Sequence, residues 1–257
     1  RRQRQMCIRD RCLGMCDYVS LHTHSQGSFL DGYSSVEQMV ERAKKLGMTS
    51  IAVTDHGECN QHWDFQKACD KAGIKPILGM EGYVVDDIQK SREEKDRINS
   101  HLCLWAETDE GLSNLWAISS LAYIDGFYYR PLADWKMLKK YAKGLMVSDG
   151  CMLSNTARFI LEEDWDKARE WLGKFIDTFG EENFFMELHT WQFVEPQNDE
   201  EKKLNEDMTK INQGKVKLAK ELGLNLIVVN DAHYSERCDH NNQTPVSYTH
   251  LTLPTIY

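Results

Sequence analysis

YVSLHTHSQGSFLDGYSSVEQMVERAKKLGMTSIAVTDHG, residues 18–57, holds one complete strand-helix-strand unit. YVSL reads as an extended apolar run. Ser34 and Ser35, followed three residues later by Glu37 and Gln38, form overlapping capping boxes that start a helix. Val36, Met39, Val40, Ala43 and Leu46 recur at helical spacing, and Gly47 supplies the stop. SIAVT is the next strand, and TDHG closes the unit. The same alternation continues along the chain. PILGM, HLCLWAE, LMVS, NFFMEL and LNLIVV bring the apolar runs to seven, with helical patterns over 60–73, 109–123, 164–179 and 199–222. Strands alternating with helices define an α/β fold with a mostly parallel sheet, and there is no fixed-period repeat or low-complexity linker to divide it.

Size and charge narrow the function. A chain of 257 residues with 41% apolar composition can bury one sizeable core. No run approaches the ~18 apolar residues that cross a bilayer, so the chain is expected to be cytoplasmic and to have no membrane partner. Eight cysteines without CxxC spacing fit reduced thiols, at least one of them free to bind metal. A net charge of −9 argues against a basic surface that grips nucleic acid unaided. Residues 1–14, which open with an Arg-rich stretch, and residues 244–257, which carry no charge, are expected to be a non-native leader and tail, leaving 15–243 as the folded domain.

Metal-capable residues collect at the ends of the apolar runs. His22 and His24 follow YVSL, Asp55 and His56 follow SIAVT, and Glu81 follows PILGM. Cys151 follows LMVS, His189 follows NFFMEL, and Asp231 with His233 follows LNLIVV. Parallel strands in a barrel open their C-terminal ends on one face, where active sites are built. His101 is the exception, because it precedes its run. In His22-Thr23-His24 the period-two geometry puts both imidazoles on one side, although such a pair is as often solvated or in a core. Asp31 reads equally as a turn residue before Gly32. Either Asp55 or His56 could ligate, with the other orienting it. Glu187-Leu188-His189 reads as a further same-face pair or as a buried ion pair. Cys151 reads as a small hydrophobe or as a thiolate ligand. His62 falls within a helix, His240 in a polar stretch and His250 in the tail, and none is a candidate. Jointly, imidazoles and carboxylates at most strand ends would destabilise one another unless cations compensated them, which points to a polynuclear metal centre.

The ordered series HTHS, DG, TDHG, GMEGYV, HLCLWA, SDGCMLS and NDAHY resembles the polymerase and histidinol phosphatase (PHP) superfamily. HSQGSFLDG, GFYYRPLADWKMLKKY (126–141) and VNDAHY (229–234) resemble the branch found as a domain of the alpha subunit of bacterial DNA polymerase III. The resemblance implies a distorted seven-stranded (β/α) barrel of PHP type. It implies that His22, His24, Glu81 and Asp231 hold one metal, that Asp31, His56 and His233 hold a second, and that Glu81, His101 and Cys151 hold a third. Up to three divalent ions are expected, Zn²⁺ and/or Mn²⁺, with Mg²⁺ or Fe²⁺ as alternatives. His22, His24, Glu81 and Asp231 would act through the bound metal and its hydroxide, with Asp55 and His189 behind them. The implied reaction is 3′→5′ exonucleolytic proofreading of a DNA primer end during replication. The partners would be the remaining polymerase domains and the replisome, and polymerisation itself would lie outside this chain. A metal-stabilised structural domain without nuclease activity and a stand-alone phosphatase are the rival expectations.

Overall fold

The computed structural model describes residues 18–94, 98–193, 196 and 198–239. The expected leader and tail, His240 and His250 lie outside the described residues. Within them, the first helix, α1 (Val36–Lys45), starts as its sequence demands. The Ser35 side chain accepts from the Gln38 backbone, and the Gln38 side chain reaches back to the Ser35 backbone. The overlapping Ser34 box does not form, because the Ser34 hydroxyl accepts instead from the backbone N–H of Ser235, 201 residues away. Gly47 follows the helix with φ 74°, the left-handed conformation that a stop requires.

Strands β1 (Ser50–Val53), β2 (Lys75–Val85), β3 (Ser100–Ala106), β6 (Leu145–Ser148), β7 (Phe184–His189) and β8 (Asn225–Val229) coincide with six of the apolar runs. The order of the curled sheet is β2-β3-β6-β7-β8, with β1 parallel to the first half of β2. The pairs β6/β7 and β7/β8 are parallel, whereas β3 runs antiparallel to both β2 and β6. YVSL, expected as a strand, makes only a bridge from Ser20 to Ile51. It still closes the ring. Ala52 N–H donates to Ser20 O (2.8 Å) and Thr54 N–H to Thr23 O (2.8 Å) on one side. On the other, His24 N–H donates to Ala232 O (2.8 Å) and Ala232 N–H to His22 O (3.2 Å). The result is a distorted barrel of seven members, the seventh too irregular to be a strand.

Two further short strands, β4 (Phe127–Tyr128) and β5 (Arg130–Asp134), form a hairpin that lies parallel to Tyr83–Val85, the upper end of β2. Helices α2 (His62–Ala72), α4 (Asp109–Ile124), α7 (Trp165–Phe179) and α8 (Asp199–Leu222) match the helical patterns, and three shorter ones complete the set: α3 (Ile88–Glu93), α5 (Trp135–Tyr141) and α6 (Asn155–Leu161). Among the described residues, no helix is long and apolar enough to cross a membrane.

The main core lies between sheet and helices, where Leu104, Leu115, Ile118, Leu138, Leu172, Phe175 and Phe184 are fully buried. Phe175 and Phe184 stack with ring centres 4.7 Å apart. A smaller apolar plug of Ala52, Cys103 and Trp105 fills the interior, ringed by Leu21, Ile77, Met146 and Ile227. The Trp105 indole N–H donates to Leu21 O (2.9 Å), so this plug also ties down the closing segment.

One buried ion pair couples α8 to the sheet. Lys215, fully buried, places Nζ 2.9 Å from Asp149 Oδ2 and donates to Gly150 O at 2.8 Å. Asp149 in turn accepts from the Glu187 backbone N–H (2.8 Å). Burial pushes the Asp149 carboxyl above its ordinary value even with Lys215 beside it. Lys215→Met should therefore strand an uncompensated buried carboxylate and lower the unfolding free energy by about 3–5 kcal/mol in urea denaturation. Adding Asp149→Asn should recover much of that loss.

Candidate metal centre

The reversed direction of β3 explains His101. Because β3 enters the sheet from the mouth of the barrel, its first residues lie where the other strands have their last. His101 sits across from Tyr83, and Cys103 across from Glu81, on the adjoining strand β2. Cys151 reaches the same place after Gly150, whose φ of 78° and contact with β3 leave no room for a side chain: a Cβ there would lie 2.3 Å from His101 O. Asp31 stands in the turn begun by Ser28, with Asp31 N–H donating to Ser28 O (3.0 Å). Asp231 follows β8 with φ 50°, a strained conformation for an aspartate of the kind that gathers at functional sites.

At the centre, His22 Nε2 lies 3.4 Å from Glu81 Oε2 and 3.3 Å from Asp231 Oδ1. His24 Nε2 lies 3.2 Å and 3.3 Å from the same two oxygens. None of these four buried atoms has a hydrogen-bond partner. Nitrogen and oxygen ligands placed tetrahedrally around one ion at about 2.0–2.2 Å are separated by about 3.3–3.6 Å. The orphaned atoms thus describe a cation cradle, and a divalent ion fits the donor set. Around it, Asp31 Oδ2 faces His56 Nε2 at 2.9 Å and His233 Nε2 at 2.8 Å. Glu81 spans the groups: Oε2 faces His56 Nδ1 at 2.8 Å, and Oε1 accepts from His101 Nδ1 at 3.0 Å. Cys151 Sγ lies 3.6 Å from His101 Nδ1. The nine residues that the resemblance implies as ligands meet in one pocket.

The surrounding hydrogen bonds decide which ring nitrogens are free. Glu187, fully buried, can only accept at 2.9 Å from His22 Nδ1, so that nitrogen carries the proton and Nε2 keeps its lone pair for the centre. Ser28 Oγ donates to Asp55 Oδ1 (3.2 Å) and so accepts from His24 Nδ1 (2.8 Å), with the same consequence for His24. Asp55 therefore does not orient His56. Its carboxylate grips Ser25 N–H and Ser25 Oγ, each at 2.7 Å, and reaches the ligands only through Ser28. His189 is likewise one contact further out than expected, bonded to Glu187 Oε2 at 3.0 Å and not to a candidate ligand. Glu187, read from sequence only as a same-face or ion pair with His189, is the residue that contacts a candidate ligand, and Cys103, whose Sγ is 3.3 Å from His22 Nδ1, is the residue that sequence reasoning passed over. Alternation along HLCLWAE and NFFMEL put both on the inner face. His62 is structural: its Nε2–H donates to Gly79 O (2.8 Å), and its Nδ1 accepts from the Trp116 indole (3.0 Å).

Electrostatics follow from this crowding. Burial alone would lower the His56 pKa, but Glu81 and Asp31 at its two nitrogens raise it to about 10. Burial opposes protonation of His22 as well, yet Cys103, Asp231, Glu187 and Glu81 around it hold its pKa well above the ordinary value. Burial would raise Glu81, but His56, His101 and His22 hold its carboxyl well below the usual range. Asp31 and Asp231 are lowered against burial by their histidines in the same way.

A family model described as the PHP domain matches residues 20–191, so the chain belongs to the PHP family. Among its curated relatives, the DNA polymerase III subunit alpha of Aquifex aeolicus is 36% identical over 225 residues, covering 85% of this chain and 18% of that protein. The Treponema pallidum subunit is 37% identical over 224 residues, with 86% and 18% covered. The chain thus spans about a fifth of the length of the relatives it matches. A solved amidohydrolase from Chromobacterium violaceum aligns at 15% identity and a TM-score of 0.48, covering 84% of this chain and 87% of that one.

Two outcomes are expected. Glu187→Gln should weaken divalent-metal affinity about 10–100-fold in chelator competition, because the orienting carboxylate is lost while the ring stays in place. For chelated protein, the raised His56 contributes stability that is complete below about 6.5 and lost as the pH climbs through about 10. The lowered Asp31 contributes stability present above about 3.8 and lost on acidification. Melting temperatures of the metal-free chain should accordingly fall between neutral and alkaline pH.

Proposed function

We propose that this chain is the PHP domain of a replicative DNA polymerase III alpha subunit and a metal-dependent phosphoesterase that removes nucleotides from a primer 3′ end. The reading is carried by the cradle formed by His22, His24, Glu81 and Asp231, whose two buried imidazole nitrogens lie 3.2–3.4 Å from its two buried carboxylate oxygens, none of the four with a hydrogen-bond partner. These four would hold one cation, Asp31, His56 and His233 a second, and Glu81, His101 and Cys151 a third. Zn²⁺ and/or Mn²⁺ suit the mixed imidazole, carboxylate and thiol donors. Divalent ions bound there supply Lewis acidity, acidifying water and neutralising charge on a phosphoryl group.

The chain's own residues prepare the site. Glu187 and Ser28 fix the tautomers of His22 and His24, and Glu81 offers one oxygen to each side of the cluster. The Trp105 plug below keeps solvent out from beneath. Asp31, His56 and His233 are partly exposed, which leaves the mouth open for a phosphodiester to approach from the side of the second group. The acidic balance of the chain leaves delivery of the DNA to the rest of the polymerase and the replisome, in the cytoplasm and away from any membrane.

Elemental analysis combined with a 3′-end-labelled primer assay tests this reading. The purified chain should carry divalent metal and shorten the primer from its 3′ end. His22→Ala and Asp231→Ala should each lose metal and slow shortening on the order of 10²-fold or more while keeping the native circular dichroism spectrum. Metal without shortening would leave a structural metal domain. Rapid turnover of simple phosphomonoesters, with DNA ends untouched, would leave a phosphatase.

A further inference from the structure

The β4–β5 hairpin has no part in the cluster, yet it is locked against it. Gly57, directly after His56, has φ 66°, and a Cβ there would lie 2.5 Å from Pro131 Cγ, so the hairpin is seated on the residue next to a candidate ligand. From below, Arg92 Nη2 donates to Asp125 O (2.6 Å) and Phe127 O (3.2 Å) and braces its first strand. At the tip, Tyr129 adopts φ 60°, a conformation that costs a non-glycine residue energy; it is 58% exposed, and its ring meets the edge of Tyr128 with centres 4.8 Å apart. Phe127, 52% exposed, stacks beside Tyr123 with ring centres 6.1 Å apart.

Next to Tyr129 in the chain, Arg130 opens the second strand of the hairpin. It is exposed, and its guanidinium lies 5.3 Å from the centre of the Tyr83 ring, whose stacking on His56 has a centre distance of 5.7 Å. The guanidinium and the His56 ring are thus no more than about 11 Å apart. Among the described residues, Arg130 makes no ion pair with a carboxylate, so its fork of donors is available. Asp31, Glu81 and Asp231, the carboxylates of the cluster, have histidine partners instead.

Resting on the phosphodiester reading above, we infer that Arg130 binds a backbone phosphate of single-stranded DNA upstream of the bond being cleaved, with the exposed rings of Tyr129 and Phe127 stacking the adjoining bases. A guanidinium fork matches phosphate oxygens bidentately, and its stacking on Tyr83 limits its freedom. A stacked strand advances about 3.4 Å per nucleotide, so a phosphate two or three nucleotides from the scissile one falls within reach. Aromatic rings accept any base, as an enzyme acting on arbitrary sequence requires. A small phosphomonoester has no second phosphate for this contact, which makes the hairpin a device for choosing a strand over a free ester.

The test is an NMR titration of the metal-loaded, ¹⁵N-labelled full chain with the pentanucleotide d(TTTTT), its linkages phosphorothioate to prevent cleavage. The Arg130 Nε–Hε signal, assigned by its loss in Arg130→Lys, should shift saturably. Arg130→Ala should weaken Kd at least fivefold and flatten the slope of log Kd against log salt by about 0.7. Lys143→Ala, a charge removed at the opposite end of the barrel, should change neither. An unmoved Arg130 signal, or equal effects of Arg130→Ala and Lys143→Ala, overturns the inference. So does an identical shift on saturation with inorganic phosphate, which would make Arg130 a general anion site. Elemental analysis of the same sample reports separately on the hydrolytic reading: an Arg130 shift in a chain that holds no metal sinks that reading and leaves strand binding standing.

Discussion

Everything at the mouth of the barrel depends on Glu81. One buried carboxylate faces His22, His24 and His56 with one oxygen and accepts from His101 with the other. An ionised carboxylate in the interior is tolerated only if positive charge surrounds it. In the metal-free chain, imidazolium protons supply that charge, which is why the His22, His56 and His233 pKa values are all raised against the pull of burial. Protons and divalent cations therefore compete for the same donor atoms.

The rest of the fold holds that arrangement still. The Trp105 plug fills the barrel beneath it, and the closing segment 20–24, bonded to β1 on one side and to Ala232 on the other, brings His22 and His24 across from Glu81. Behind His22 the order of charges is deliberate: Glu187 fixes the ring, Ser148 and His189 satisfy Glu187, and the Lys215–Asp149 pair anchors the Glu187 backbone from α8. Polar groups this deep destabilise a fold unless each is satisfied, and here each satisfied group constrains the next.

Much of this was visible along the chain. Six of the seven apolar runs became strands, and Ser35 with Gln38 and Gly47 bounded the first helix as read. His22, His24, His56, Glu81, Cys151, Asp231 and His233 were found because strand ends in a barrel share a face. His101 looked anomalous only because strand direction cannot be read from an apolar run: HLCLWAE reads the same upward or downward. The hairpin at Phe127–Asp134 escaped as strand structure because its first strand is two residues long and its second contains Pro131.

By itself, the sequence determined the alternation of strands and helices, the helix ends and the types of side chain at the mouth, since these follow from spacing within a few residues. Only the tertiary structure decided that β3 runs backward, that YVSL closes the ring without becoming a strand, and that the side chain of Glu187, not that of His189 or Asp55, bonds directly to a candidate ligand. The His22–Glu187 bond joins residues 165 positions apart. No local pattern specifies such a pairing, because it exists only once the chain has closed on itself and two buried polar groups have no water left to bond.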